Sequence, residues 1–168
     1  MRSLLLSALF VPCCLGVAAA GGKAQPGHAP DQEHIVVRAD KIAWKAAPPS
    51  LPAGAQIAAL AGDPAKPGVP FTIRVKLPGG YKIPPHWHPT DENVTVLQGT
   101  LLVGKGEKFD PAATEELPVG SYMRMPKTMR HFALTRGETI LQVHGIGPFE
   151  VHYVNPADDP RKKADSPK

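Results

Sequence analysis

The residues able to do chemistry are concentrated in one stretch, Gly80 to Gly99, which reads GYKIPPHWHPTDENVTVLQG. His86 and His88 stand two apart in a run with strand character. Side chains alternate across a strand, so both imidazoles face one way and Trp87 the other. Pro89, Thr90 and Asp91 form a turn group, and Glu92 then opens the alternating run ENVTVLQG, the expected next strand. A hairpin of this kind brings Glu92 back beside the two imidazoles. Two imidazoles and one carboxylate on a rigid scaffold form a facial set that suits Fe(II), Mn(II) and related ions and leaves positions open. The best candidate for a further nitrogen ligand is His131, in GSYMRMPKTMRHFALT, where Met129, His131 and Ala133 are expected to share a strand face. Each histidine alone reads equally well as a hydrogen-bonded pocket residue. Their convergence with a carboxylate is what favours a metal.

The spacing resembles a known family. Gly80, five residues, His86, one residue, His88, three residues, Glu92, six residues and Gly99 reproduce the first motif of the cupin superfamily. In the second motif Gly120, Pro126 and His131 fall in register, while Thr128 replaces the motif glycine and Thr135 the motif asparagine. Those two departures bear on the turn before His131 and on a polar contact after it. Neither removes a ligand. The resemblance covers roughly residues 68–154 and implies an all-β fold, a jelly-roll β-barrel. It also implies one divalent transition ion (Mn, Fe, Co, Ni, Cu or Zn) held by His86, His88, Glu92 and His131.

Around this core the chain reads as short strands. Twenty prolines and sixteen glycines in 168 residues favour strands broken by turns over long helices. HIVVRADKIAWK, from His34 to Lys45, is expected to add one or two strands, and its Ile35–Trp44 segment is a candidate dimer edge. AQIAALAG and VPFTIRVKL follow as strands, the second with Phe71, Ile73, Val75 and Leu77 on a core face. GKGEKFDPAATEELP is read as a polar loop, with Glu115 and Glu116 solvated. In Glu138–His144, Ile140, Gln142 and His144 share one face and Leu141 and Val143 the other. If the polar face points inward, Gln142 and His144 become substrate-contacting candidates. His152 and Tyr153 face opposite ways.

Residues 1–20 have the layout of a secretory signal peptide: Arg2, an apolar run, and Ala18-Ala19-Ala20 before the expected cleavage. The apolar part is short for a membrane span and is interrupted by Pro12 and Gly16. A periplasmic or secreted location follows, with no membrane anchor. Both cysteines, Cys13 and Cys14, lie inside this segment. The mature chain would then have no disulfide or thiolate, leaving imidazole and carboxylate for metal chemistry. Residues 21–33 read as a linker with a solvated His28, residues 34–156 as the cupin domain, and 157–168 as a loose polar tail. The formal charge is +4, with Arg161, Lys162, Lys163 and Lys168 grouped in the tail, and basic residues are not interleaved with aromatics, which argues against nucleic acid as a partner.

The function implied is a small metal-dependent enzyme of dioxygenase, isomerase or decarboxylase type, acting on an oxygen-rich small molecule. Tyr81, Tyr122 and Glu138 are the candidates for proton transfer. A non-catalytic metal or ligand-binding sensor is the alternative, and a homodimeric β scaffold is compatible with both.

Overall fold

In the computed structural model, which describes residues 34–164, the alternating run Pro70–Leu77 is a strand. Phe71, Ile73, Val75 and Leu77 are buried, and Thr72, Arg74 and Lys76 are only half-buried. Eleven strands are described: β1 Lys45–Ala46, β2 Gln56–Ala61, β3 Pro70–Leu77, β4 Lys82–Trp87, β5 Glu92–Gln98, β6 Thr100–Lys105, β7 Thr114–Pro118, β8 Tyr122–Met125, β9 His131–Thr135, β10 Thr139–Ile146 and β11 His152–Tyr153. One short helix, α1, spans Pro160–Ala164. No helix among the described residues is long and apolar enough to cross a membrane.

Antiparallel pairing assembles two sheets, ordered β1-β2-β3-β10-β5-β8 and β11-β4-β9-β6-β7. They meet through one apolar cluster to which both contribute, including Ile73, Val75, Val94, Val96, Leu141 and Val143 from the first and Leu101, Val103 and Ala133 from the second. Leu77, Leu101, Val94 and Val96 are among the side chains most completely removed from water. Each such burial contributes about 1.5–3 kcal/mol. The expected all-β jelly roll is what forms, as two facing sheets. Gly99 shows why the first motif ends in glycine: at φ 73° it turns the chain from β5 in one sheet to β6 in the other, and a Cβ there would strike the Glu138 carbonyl and Thr139.

Several expectations are corrected. β4 and β5 are not a hairpin, because they belong to different sheets; the turn between them leads from one sheet to the other instead. Ile35–Trp44 is not a strand. Ile35, Val36 and Val37 are exposed, and only Lys45–Ala46 pair with β2. β-Branched residues favour a strand only where packing neighbours cover them. The span 104–118 is not all loop, since β7 pairs along β6 with Glu115 and Glu116 exposed. β10 lies between β3 and β5 and buries Thr139, Leu141 and Val143, so Gln142 and His144 sit on the outer face and do not reach the interior. The tail is not loose throughout: the Arg161 guanidinium donates to the Val151 carbonyl at 3.0 Å and to Asp159 at 2.8 Å. The expected signal peptide and linker, with His28, lie outside the described residues, while His34 is exposed.

Candidate metal centre

Two sheets contribute to one cluster of buried titratable side chains in a mainly apolar interior. His86 lies near the end of β4 and His88 just past it, while His131 opens β9 directly opposite His86 in the ladder. Glu92 opens β5 in the facing sheet. All four side chains are buried. The rings of His86 and His131 stand 4.2 Å apart, those of His86 and His88 5.1 Å. The ligand atoms of the three histidines lie within 4.8 Å of one another.

Hydrogen bonds to backbone fix which nitrogen faces the cluster. Nδ1 of His86 donates to the Pro84 carbonyl (2.8 Å), Nδ1 of His88 to Glu150 (2.6 Å) and Nδ1 of His131 to Met129 (3.1 Å). With the proton held on Nδ1, each neutral ring presents a bare Nε2 lone pair. The Glu92 Oε2 sits 3.3 Å from Nε2 of His131 and 3.6 Å from Nε2 of His88. Both His88 Nε2 and Glu92 Oε2 are buried without a hydrogen-bond partner. A buried carboxylate facing imidazole lone pairs is unfavourable unless something positive stands between them. The donor set fits a divalent transition ion.

Electrostatics agree. Burial, then repulsion from His131 and His88, pushes the His86 pKa down to about 3, so its lone pair stays free at neutral pH. Burial also lowers His88. Burial by itself would raise Glu92, but the surrounding imidazoles outweigh it and take the carboxyl down to about 2, leaving it ionised. His131 differs: burial lowers it, yet contact with Glu92 prevails and raises its pKa. It is the imidazole on which a proton most readily answers the Glu92 charge.

The framework holds these groups closely. Phe149 stacks on the His88 ring at 4.4 Å, and Trp87, facing away as expected, stacks on His152 at 4.3 Å. Thr128 keeps the turn that the motif glycine would make, at φ 65°, and its N–H donates to the His88 carbonyl at 2.8 Å. Thr135 keeps the polar contact, donating to the Pro78 carbonyl at 2.6 Å and accepting from the Tyr81 N–H at 3.0 Å. Sequence reasoning missed Phe149, Glu150 and Tyr153, whose ring centre is 6.1 Å from that of His86. The carbonyls of Pro84 and Met129 were legible in principle, each two residues before its histidine; that of Glu150 is 62 residues from His88.

Beside the cluster lies a cavity of about 130 Å³, bordered by His86, His88 and Glu92 and otherwise mainly by aliphatic side chains. The three proton-transfer candidates do not border it. The Tyr81 hydroxyl donates to the Pro52 carbonyl, burial raising its pKa. Tyr122 is exposed and bonds Asn93, and Glu138 accepts from Gln98.

The fold has many relatives among solved structures. A candidate acetylacetone dioxygenase from Methylibium petroleiphilum superposes with TM-score 0.60 at 18% identity, covering 80% of this chain and 90% of that one. The polyketide cyclase RemF from Streptomyces resistomycificus gives 0.59 at 17% identity, covering 80% and 95%. An RmlC-like cupin from Shewanella frigidimarina gives 0.52 at 14% identity, covering 68% and 90%. No curated protein matches the sequence. The sequence pattern of the family described as ChrR cupin-like domain matches residues 32–150. That match spans both halves of the histidine–glutamate cluster and most of both sheets, so the chain belongs to the ChrR cupin-like family and with it to the cupin superfamily.

Proposed function

We propose that this protein is a mononuclear metal-dependent enzyme acting on a small molecule, with His86, His88, Glu92 and His131 holding one divalent ion of the Mn-to-Zn series. The observation that carries the reading is the convergence of three imidazoles, each with Nδ1 bonded to backbone, on a buried carboxylate oxygen that has no hydrogen-bond partner. An ion bound there supplies Lewis acidity, an orienting template or a redox centre. The chain's own part is to fix the ligand directions through the Pro84, Glu150 and Met129 carbonyls, to neutralise part of the ionic charge with Glu92, and to keep water scarce with an aliphatic wall. The cyclase and the dioxygenase named above differ in activity, at identities that support the fold alone, so the reaction type follows from neither.

A second reading is favoured by one observation. Tyr81, Tyr122 and Glu138 all lie off the cavity, which leaves no proton-transfer group beside the ligands among those candidates and suits a binding or sensing module. The experiment is elemental analysis of protein purified without added metal, followed by a broad oxidase, isomerase and decarboxylase substrate screen with and without chelator. Metal at about one ion per chain with chelator-sensitive turnover supports the enzyme. Stoichiometric metal with ligand binding but no turnover supports the sensor, and absence of uptake for every ion from Mn to Zn refutes both. We also propose that residues 1–20 direct export and that the mature chain begins near Gly21, on the layout of Arg2, the apolar run and Ala18-Ala19-Ala20. Intact-mass measurement on exported and cytoplasmic fractions tests it.

A further inference from the structure

The cavity beside the metal cluster has a composition that narrows what can enter it. Its wall is built from side chains such as Ile57, Ile73, Val75, Leu141, Val143 and Phe149. The polar side chains bordering it are those of Ser50 and of His86, His88 and Glu92. No lysine, arginine, asparagine, glutamine, threonine or tyrosine borders it among the described residues. Polar side chains therefore gather at the cluster and at Ser50, and the other side chains of the wall offer neither a hydrogen-bond donor nor a cation.

From this we infer the substrate class: a compact molecule with an apolar body whose oxygen atoms all lie at one end, where they meet the metal. The inference rests on the metal-centre reading above. An aliphatic wall cannot repay the hydration of a hydroxyl, amide or carboxylate placed against it. Sugars and compact dicarboxylates carry polar atoms on every side, so part of their surface would be buried unpaired. The volume sets the size. A cavity of about 150 Å³ lined by Leu, Ile and Phe holds benzene, so about 130 Å³ suits an apolar body of roughly six non-hydrogen atoms, with the chelating oxygens outside it at the cluster. This replaces an oxygen-rich substrate with one whose oxygen is confined to one end.

The test uses the full mature chain loaded with Co(II), under anaerobic conditions, and two probes that share a chelating pair of adjacent hydroxyls and nearly the same shape. 4-Methylcatechol carries a methyl group where 1,2,4-benzenetriol carries a third hydroxyl. Elemental analysis first establishes Co(II) uptake; binding is then read by calorimetry and by the visible Co(II) spectrum. Preference for 4-methylcatechol by about tenfold or more is expected, because an apolar pocket discriminates by about that much or more against an added hydroxyl. Both probes should perturb the Co(II) spectrum, and chelator-stripped protein should bind the methyl probe more weakly. Equal or tighter binding of the triol by Co(II)-loaded protein overturns this inference and leaves the metal centre standing. Lack of uptake of Co(II) and of every other ion from Mn to Zn overturns the metal centre, and the inference with it.

Discussion

Thr128 is a β-branched residue at φ 65°, a conformation that L-residues avoid and that glycine adopts freely. Its side chain is exposed, so replacing it sacrifices little burial, and the bond that matters, its N–H to the His88 carbonyl at 2.8 Å, belongs to the backbone. Thr128→Gly should therefore stabilise the protein. Relief of the left-handed conformation is worth about 1–2 kcal/mol. Glycine returns about 0.4–1 kcal/mol of that through the larger freedom of the unfolded chain. A net gain of about 1 kcal/mol remains, or roughly 2–4 °C in Tm for a domain near this size. Thr128→Ala keeps the strain and should gain little. The assay is equilibrium denaturation and thermal melting of chelator-stripped protein, which separates the backbone effect from stabilisation by bound metal. The metal-loaded forms should bind equally well, because the turn and its bond to His88 persist. Thr128→Gly at or below wild-type stability, or Thr128→Ala gaining as much as glycine, would refute the reasoning.

Other perturbations bear on the cluster and its frame. His86→Ala, His88→Ala and His131→Ala should each weaken metal binding by more than the roughly 10–100-fold typical of losing an outer partner, and Glu92→Gln by about 10–100-fold, with Trp87→Phe unchanged; competition with a metal chelator measures this. At Gly104 a Cβ would overlap the buried Phe132 ring, so Gly104→Ala should cost about 1–3 kcal/mol by denaturant titration. The Asp159 carboxyl is held below its usual pKa by hydrogen bonds from Arg161. Its stabilisation is therefore present above the unfolded-state pKa and lost as pH falls through the lower folded value. Asp159→Asn should lower Tm relative to wild type near about pH 6, with the difference closing toward about pH 3; a difference independent of pH would count against this.

Local rules carried far in this chain. Period-two alternation placed Phe71, Ile73, Val75 and Leu77 in the core and put His86 opposite Trp87, because in a strand the direction of each side chain is set by its immediate neighbours. The Gly80–Gly99 spacing, through its resemblance to the cupin motif, pointed to the jelly roll and to the histidines and glutamate that converge, and its two end glycines meet a local need for positive φ. Sheet membership was not legible. His88 and Glu92 look like two sides of a hairpin, yet β4 and β5 lie in facing sheets, and only long-range pairing with β9 and β10 decides that. The same non-local pairing left Ile35–Val37 without a strand partner, turned Gln142 and His144 outward, and brought Phe149 and the Glu150 carbonyl onto His88. The sequence by itself determined which residues are able to bind a metal and which faces are apolar. Tertiary structure decided that the imidazoles meet a carboxylate from the opposite sheet beside an aliphatic cavity, because which strands lie side by side depends on how the whole core packs rather than on any residue's neighbours in the chain.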